Sequence, residues 1–71
     1  MKVAFNDIFE LNTEQDTMSP RRVLRLGAMK LLPEHILDLN DTSLGQPLRT
    51  WIEKEFDVRD DGDIWTIMRV I

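Results

Sequence analysis

The side chains best able to do chemistry in this chain are few, and each stands apart from the partners that chemistry would need. His35 is the only histidine. With Glu34 beside it and Asp38 close behind, it has the residue types of a metal ligand or an acid–base group. No second histidine and no cysteine supports either role, so His35 is read as an exposed residue in a first helical turn after Pro33. Residues Asp57 to Met68 have the outline of a calcium loop, with Asp57, Asp61 and Gly62 at ligand positions one, five and six. Position three is then Arg59, a cation inside the cage, and position twelve is Met68 where a bidentate glutamate is required. The match fails, and a tight turn accounts for the same residues. Gly27, Gly45 and Gly62 are too scattered to cradle a phosphate, and Ser19 and Ser43 lack a histidine-plus-acid context. Carboxylates abound, yet a carboxylate becomes a catalyst only in a pocket, and 71 residues rarely enclose one. The chain is expected to be no enzyme and to hold no cofactor and no metal.

The charge is unevenly laid out. The formal total is −4 with a pI near 4.7, which argues against nonspecific nucleic-acid binding. Residues 1–18 set Lys2 against Asp7, Glu10, Glu14 and Asp16, whereas residues 19–32 carry Arg21, Arg22, Arg25 and Lys30 with no acid at all. The remainder is acidic again, most of all at Glu53, Glu55, Asp57, Asp60, Asp61 and Asp63. A basic island therefore lies between acidic segments. Either it meets an acidic partner or phosphate, or it is a solvated face that pairs internally. The acidic end reads in the same two ways, as a contact that mimics a nucleic-acid backbone or as a turn with an exposed face.

The elements that must position these groups are most legible in the C-terminal third. Asp61-Gly62 separates two β-prone runs, a strong hairpin signal for a type I′ turn. With that loop Val58 opposes Trp65 and Phe56 opposes Ile67 on an inward apolar face, while Asp57 opposes Thr66 and Arg59 opposes Ile64. Before it, Gln46–Glu55 reads as a short helix opened by Pro47, with Leu48, Trp51 and Ile52 at i, i+3, i+4 as its buried stripe. Trp51 and Trp65 are expected in the core. Val3, Phe5, Phe9 and Leu11 alternate as a strand with Asp7 intruding on its inner face, and Val23–Leu26 reads as a strand returning against it. Residues 20–32 also admit a helix opened by Ser19-Pro20, but Arg21 and Arg22 would sit at its wrong end. Pro33–Leu39 fits one or two helical turns.

With 42% hydrophobic residues and no run long enough to span a membrane, the chain is neither disordered nor membrane-spanning in composition. At 71 residues without cysteine it makes one domain that buries about 60–65% of its unfolded surface, with no disulfide to help. The opening residues reach Asp7 too early for a signal peptide, so a cytoplasmic setting is expected. The expected fold is α+β. It comprises a small, mostly antiparallel sheet from two hairpins (1–28 and 55–71), with one or two short helices from 33–55 on one face.

Asn6-Asp7-Ile8-Phe9, Ser19-Pro20-Arg21-Arg22-Val23 and Leu26-Gly27 together resemble the opening of short proteins of unknown function from phages and prophage-bearing bacteria, which also finish with a hairpin similar to Glu55–Ile71. The resemblance implies strands on either side of Ser19-Pro20 and an origin in a mobile element. It brings no catalytic or binding residue with it. These readings converge on a small non-enzymatic protein-binding module, of which a phage-encoded inhibitor or adaptor is the concrete form. It would act by occlusion on a host or viral nucleic-acid-processing complex. The partner-binding candidates are Asp57, Asp60, Asp61 and Asp63 for an acidic contact, and Arg21, Arg22 and Arg25 for a basic one. The alternatives are a self-associating virion or assembly component, and a nucleic-acid binder using residues 21–30 as a helix.

Overall fold

The structure, a computed structural model, describes all residues 1–71. In chain order the elements are β1 (Lys2–Ala4), a single helical turn α1 (Phe5–Ile8), β2 (Phe9–Asn12), β3 (Thr17–Pro20), β4 (Leu24–Leu26), β5 (Met29–Leu31), β6 (Leu37–Asp38), β7 (Thr42–Ser43), β8 (Gln46–Pro47), a 3₁₀ turn (Leu48–Trp51), β9 (Glu55–Asp61) and β10 (Ile64–Val70). They form a five-stranded sheet in the order β1-β9-β10-β4-β5, a three-stranded sheet in the order β2-β3-β6, and the two-stranded ladder β7-β8. All pairings are antiparallel except β10 with β4. The fold is thus mostly β, with 52% of residues in strands and 11% helical, and the expected α+β arrangement is corrected.

The expected N-terminal hairpin does not form, because Asp7 breaks the strand it required. A continuous strand through 3–11 would aim that carboxylate inward. Instead the chain makes one α-turn, the Ala4 N–H donates to Asp7 Oδ2 at 2.9 Å, and Phe5, Ile8 and Phe9 all become buried. β2 then pairs with β3, and β4 turns to β10 and β5.

The two expected helices are also absent. Leu48 and Trp51 do share a buried face, but on a 3₁₀ turn, where residues three apart eclipse. The N–H groups of Leu48 and Arg49 donate to the distant carbonyls of Asp41 and Leu39, and the Thr50 hydroxyl donates to the Pro47 carbonyl. Those N–H groups are ones any helix leaves free in its first turn, and the helix ends after one turn because Ile52 is extended (ψ 131°) and Glu53 reverses the chain at φ 70° into β9. Pro33–Leu39 makes a turn and β6 rather than a helix. His35 Nδ1 accepts the Leu32 N–H at 3.0 Å, and the His35 N–H donates to the Leu32 carbonyl.

The C-terminal hairpin is present with its loop one residue further on. Asp61 pairs with Ile64 across Gly62-Asp63, and Gly62 takes the positive φ of 83° at the first loop position. Val58 therefore faces Ile67 and Asp60 faces Trp65, and a bulge between Ile67 and Arg69 sets Phe56 opposite Val70. Moving the loop by one residue shifts the pairing by two, so the inward set is unchanged.

One cluster of 13 buried apolar residues joins these layers. Its centre is aromatic: Phe9 lies 5.3 Å from Phe5 and 6.1 Å from Trp51, and Trp51 meets Phe56 edge-on at 5.5 Å between ring centroids.

Candidate functional site: the charged face and open edge of the five-stranded sheet

The five-stranded sheet buries one face and presents the other. Direct register across four strands places Arg59 (β9), Thr66 (β10), Arg25 (β4) and Lys30 (β5) abreast on the outer side. The neighbouring row is Lys2 (β1), Asp57 (β9) and Arg69 (β10), with Glu55 and Asp61 continuing the outward set of β9.

Each carboxylate on this face is engaged from within. Glu55 pairs with Lys2 at 3.7 Å, and Asp57 pairs with Arg69 at 3.4 Å and with the N-terminal ammonium at 3.7 Å. Both Asp61 oxygens lie 3.0 Å from Arg59 Nε, and the Thr66 hydroxyl donates to Asp61 at 2.7 Å. The Thr66 hydrogen bond and then that of Arg59 hold the Asp61 carboxyl below its ordinary value, with the Arg25 charge helping at longer range. Arg25 and Lys30 form no ion pair. They also stand directly opposite each other, where two like charges destabilise a ladder. The face therefore ends, at β5, in two cations outside any ion pair, Arg25 feeling the Asp61 carboxylate at longer range.

β5 is also a free edge. The two-residue loop Gly27-Ala28 closes the β4–β5 hairpin, so Leu26 with Met29 is a hydrogen-bonded pair and Arg25 with Lys30 is not. The Lys30 N–H and C=O consequently point away from β4, where no strand lies. On the inner side a groove of about 330 Å³ is lined by Leu26, Met29, Leu31, Leu37 and Leu48, together with Asp41, Thr42 and Ser43. Met29 is half-exposed there. A second hollow of about 470 Å³ follows the β2–β3 hairpin, polar and acidic through Glu10 and Glu14, with Ile36 exposed at its rim.

The expected partner-binding residues are dispersed by the fold. Arg21 Nε donates to the carbonyls of Asn6 at 2.8 Å and Phe9 at 3.0 Å, closing the C-terminal end of α1. Arg22 lies over the Trp65 ring at 3.6 Å from its centroid, a cation–π contact. Of the three arginines only Arg25 projects freely from the sheet. Among the acids, Asp57 and Asp61 share the outer face but are neutralised, Asp60 accepts the Gly62 N–H in the loop at 3.0 Å, and Asp63 is an exposed loop residue.

No protein-family model, curated protein or solved structure matches this chain. Lys30 belongs to the basic island read from the sequence, but it, Met29 and Leu31 are not among the partner-binding candidates. Their signal was available in Leu24-Arg25-Leu26, then Gly27-Ala28, then Met29-Lys30-Leu31. That is a mirror-image alternation around a loop with glycine first. No helix is long and apolar enough to cross a membrane.

Proposed function

We propose that this chain is a small non-enzymatic protein-binding module that covers an acidic patch on a larger partner through the β4–β5 end of its five-stranded sheet. The observation that carries the reading is the opposed pair Arg25 and Lys30, neither of which forms an ion pair while the acids of the same face all do. A partner carboxylate between the two cations relieves their repulsion and adds attraction of its own. Occlusion suits a molecule of this size, and the resemblance of residues 3–28 and 55–71 to short phage proteins makes an inhibitor or adaptor of mobile-element origin, working in the cytoplasm, the concrete form. The helix that a nucleic-acid reading of 21–30 requires is replaced by β4 and β5.

The test is affinity capture from the source host with immobilised wild type, with Arg25→Glu/Lys30→Glu, and with Asp60→Asn/Asp63→Asn as a charge control. The expected result is a partner retained by wild type and the control and depleted about tenfold or more by the double reversal, a change worth about 1.4 kcal/mol. Equal capture by all three sinks the basic-face reading. A second reading, self-association, draws support from the open edges of the three-stranded sheet and from exposed Ile36, Met68 and Ile71. Native mass decides it, a concentration-independent monomer counting against it.

A further inference from the structure

We infer that β5 is a strand-addition site, taking as a sixth strand an extended protein segment in which apolar and acidic residues alternate. This rests on the binding-module reading and adds to it the chemistry of the partner and the geometry of its docking. Three features meet at one edge. The Lys30 N–H and C=O are directed outward with no neighbouring strand, offering two main-chain hydrogen bonds. On the outer side the incoming strand meets Lys30 directly and Arg25 one strand further in, neither of them in an ion pair, and on the inner side it meets the apolar groove of Leu26, Met29, Leu31 and Leu48. A strand points successive side chains to opposite faces, so an edge with cations on one side and an apolar groove on the other selects period-two alternation of acid and hydrophobe.

Asp41, which lines the same groove, sharpens the choice, since it repels a carboxylate entering on the apolar side and so disfavours the shifted register. A second copy of this chain is the wrong occupant for a symmetric contact. Pairing β5 with β5 about a twofold axis brings two further cations, the partner copy's own arginine and lysine, onto an edge that already holds two outside any ion pair. The next outward groups, the Leu32 N–H and C=O, are already taken by His35 Nδ1 and the His35 N–H, so the added segment is short and the contact weak and salt-sensitive.

The experiment uses amide-resolved NMR of the whole chain with three synthetic peptides of equal length: one alternating Glu and Val, one of the same composition with the glutamates grouped, and one alternating Lys and Val. The alternating Glu peptide is expected to shift Met29, Lys30 and Leu31 and to slow exchange of the Lys30 amide. The grouped peptide is expected to bind about tenfold more weakly or worse. Lys30→Pro, which removes both the outward N–H and the ammonium, is expected to abolish the effect. Lys30→Ala, which removes the ammonium alone, is expected to weaken it without abolishing the slowed exchange at residue 30, and Arg25→Glu/Lys30→Glu to transfer it to the Lys peptide. Shifts centred away from β5, or equal binding of the alternating and grouped peptides, overturn strand addition. So does protection of the Lys30 amide in free protein that sediments as a dimer. If capture still depends on Arg25 and Lys30 while the Lys30 amide stays exposed, the basic face binds its partner without adding a strand. If the alternating peptide binds but captured protein ignores the charge reversal, the binding-module reading is the one that falls.

Discussion

At the scale of single residues, the arginines of the basic island divide according to what their guanidinium groups can reach. Arg21 follows Pro20 at the end of β3, which brings its Nε against the carbonyls that α1 leaves unpaired at its C-terminal end. Arg22, one residue on, faces the other way and covers Trp65. Their work is structural, and the sequence alone could not divide them because nothing local distinguishes three arginines in one charged run. Replacing Arg21 by alanine leaves two carbonyls without their donor and is expected to cost about 1–2 kcal/mol, read as a lower urea midpoint at unchanged m-value. Arg21→Lys keeps the charge but presents no planar fork and is expected to recover only part of that loss. If Arg21→Ala has the same midpoint as wild type, the cap contributes nothing and Arg21 returns to the list of free cations.

Among the elements, those whose pattern is closed by local turn chemistry were the legible ones. The β9–β10 hairpin was readable because Asp-Asp-Gly-Asp sits between two alternating runs, and a misjudged loop residue leaves its inward set intact. Leu48 and Trp51 were readable as buried, but three-residue spacing does not separate a 3₁₀ turn from an α-helix, and nothing local announces that the chain turns extended at Ile52 and reverses at Glu53. The parallel pairing of β4 with β10 joins residues some forty apart and has no local signal. The turn between β7 and β8 shows the opposite case, a loop whose chemistry is poor. Leu44 and Gly45 both have positive φ, at 52° and 78°, the pattern of a type I′ turn, yet Leu44 carries a branched apolar side chain into solvent there. Asparagine tolerates that conformation far better, so Leu44→Asn is expected to stabilise the protein by about 0.5–1 kcal/mol, visible as a higher thermal midpoint. A lower midpoint would mean that Leu44 packs usefully, against its exposure.

For the molecule as a whole, compactness separates docking on a partner from folding upon one. The radius of gyration is 11.1 Å, the value of about 11 Å expected for a compact chain of this length. The accessible surface of 4515 Å² likewise agrees with about 4600 Å² for a folded monomer of this mass. A shortage of core, expected from length alone, is met by the aromatic centre, so the partner proposed above is not needed to complete the domain. What holds the periphery to that domain is partly electrostatic, and its sign is fixed. Asp16, in the β2–β3 loop, pairs with Arg49 of the 3₁₀ turn, and that hydrogen bond lowers its pKa from the ordinary 3.8. Asp61 is lowered in the same direction by Thr66 and Arg59. Carboxyls with depressed folded pKa values bind fewer protons folded than unfolded, so their stabilisation is complete above the ordinary value and disappears as pH falls through the folded one. Both groups are exposed, which keeps each contribution small and salt-sensitive. Thermal midpoints are therefore expected to be flat from pH 7 down to about 5 and to drop below about 4, with Asp16→Asn flattening the drop. A midpoint that rises on acidification would show that relief of the net −4 outweighs the lost pairs, and that repulsion among the unpaired acids governs the molecule.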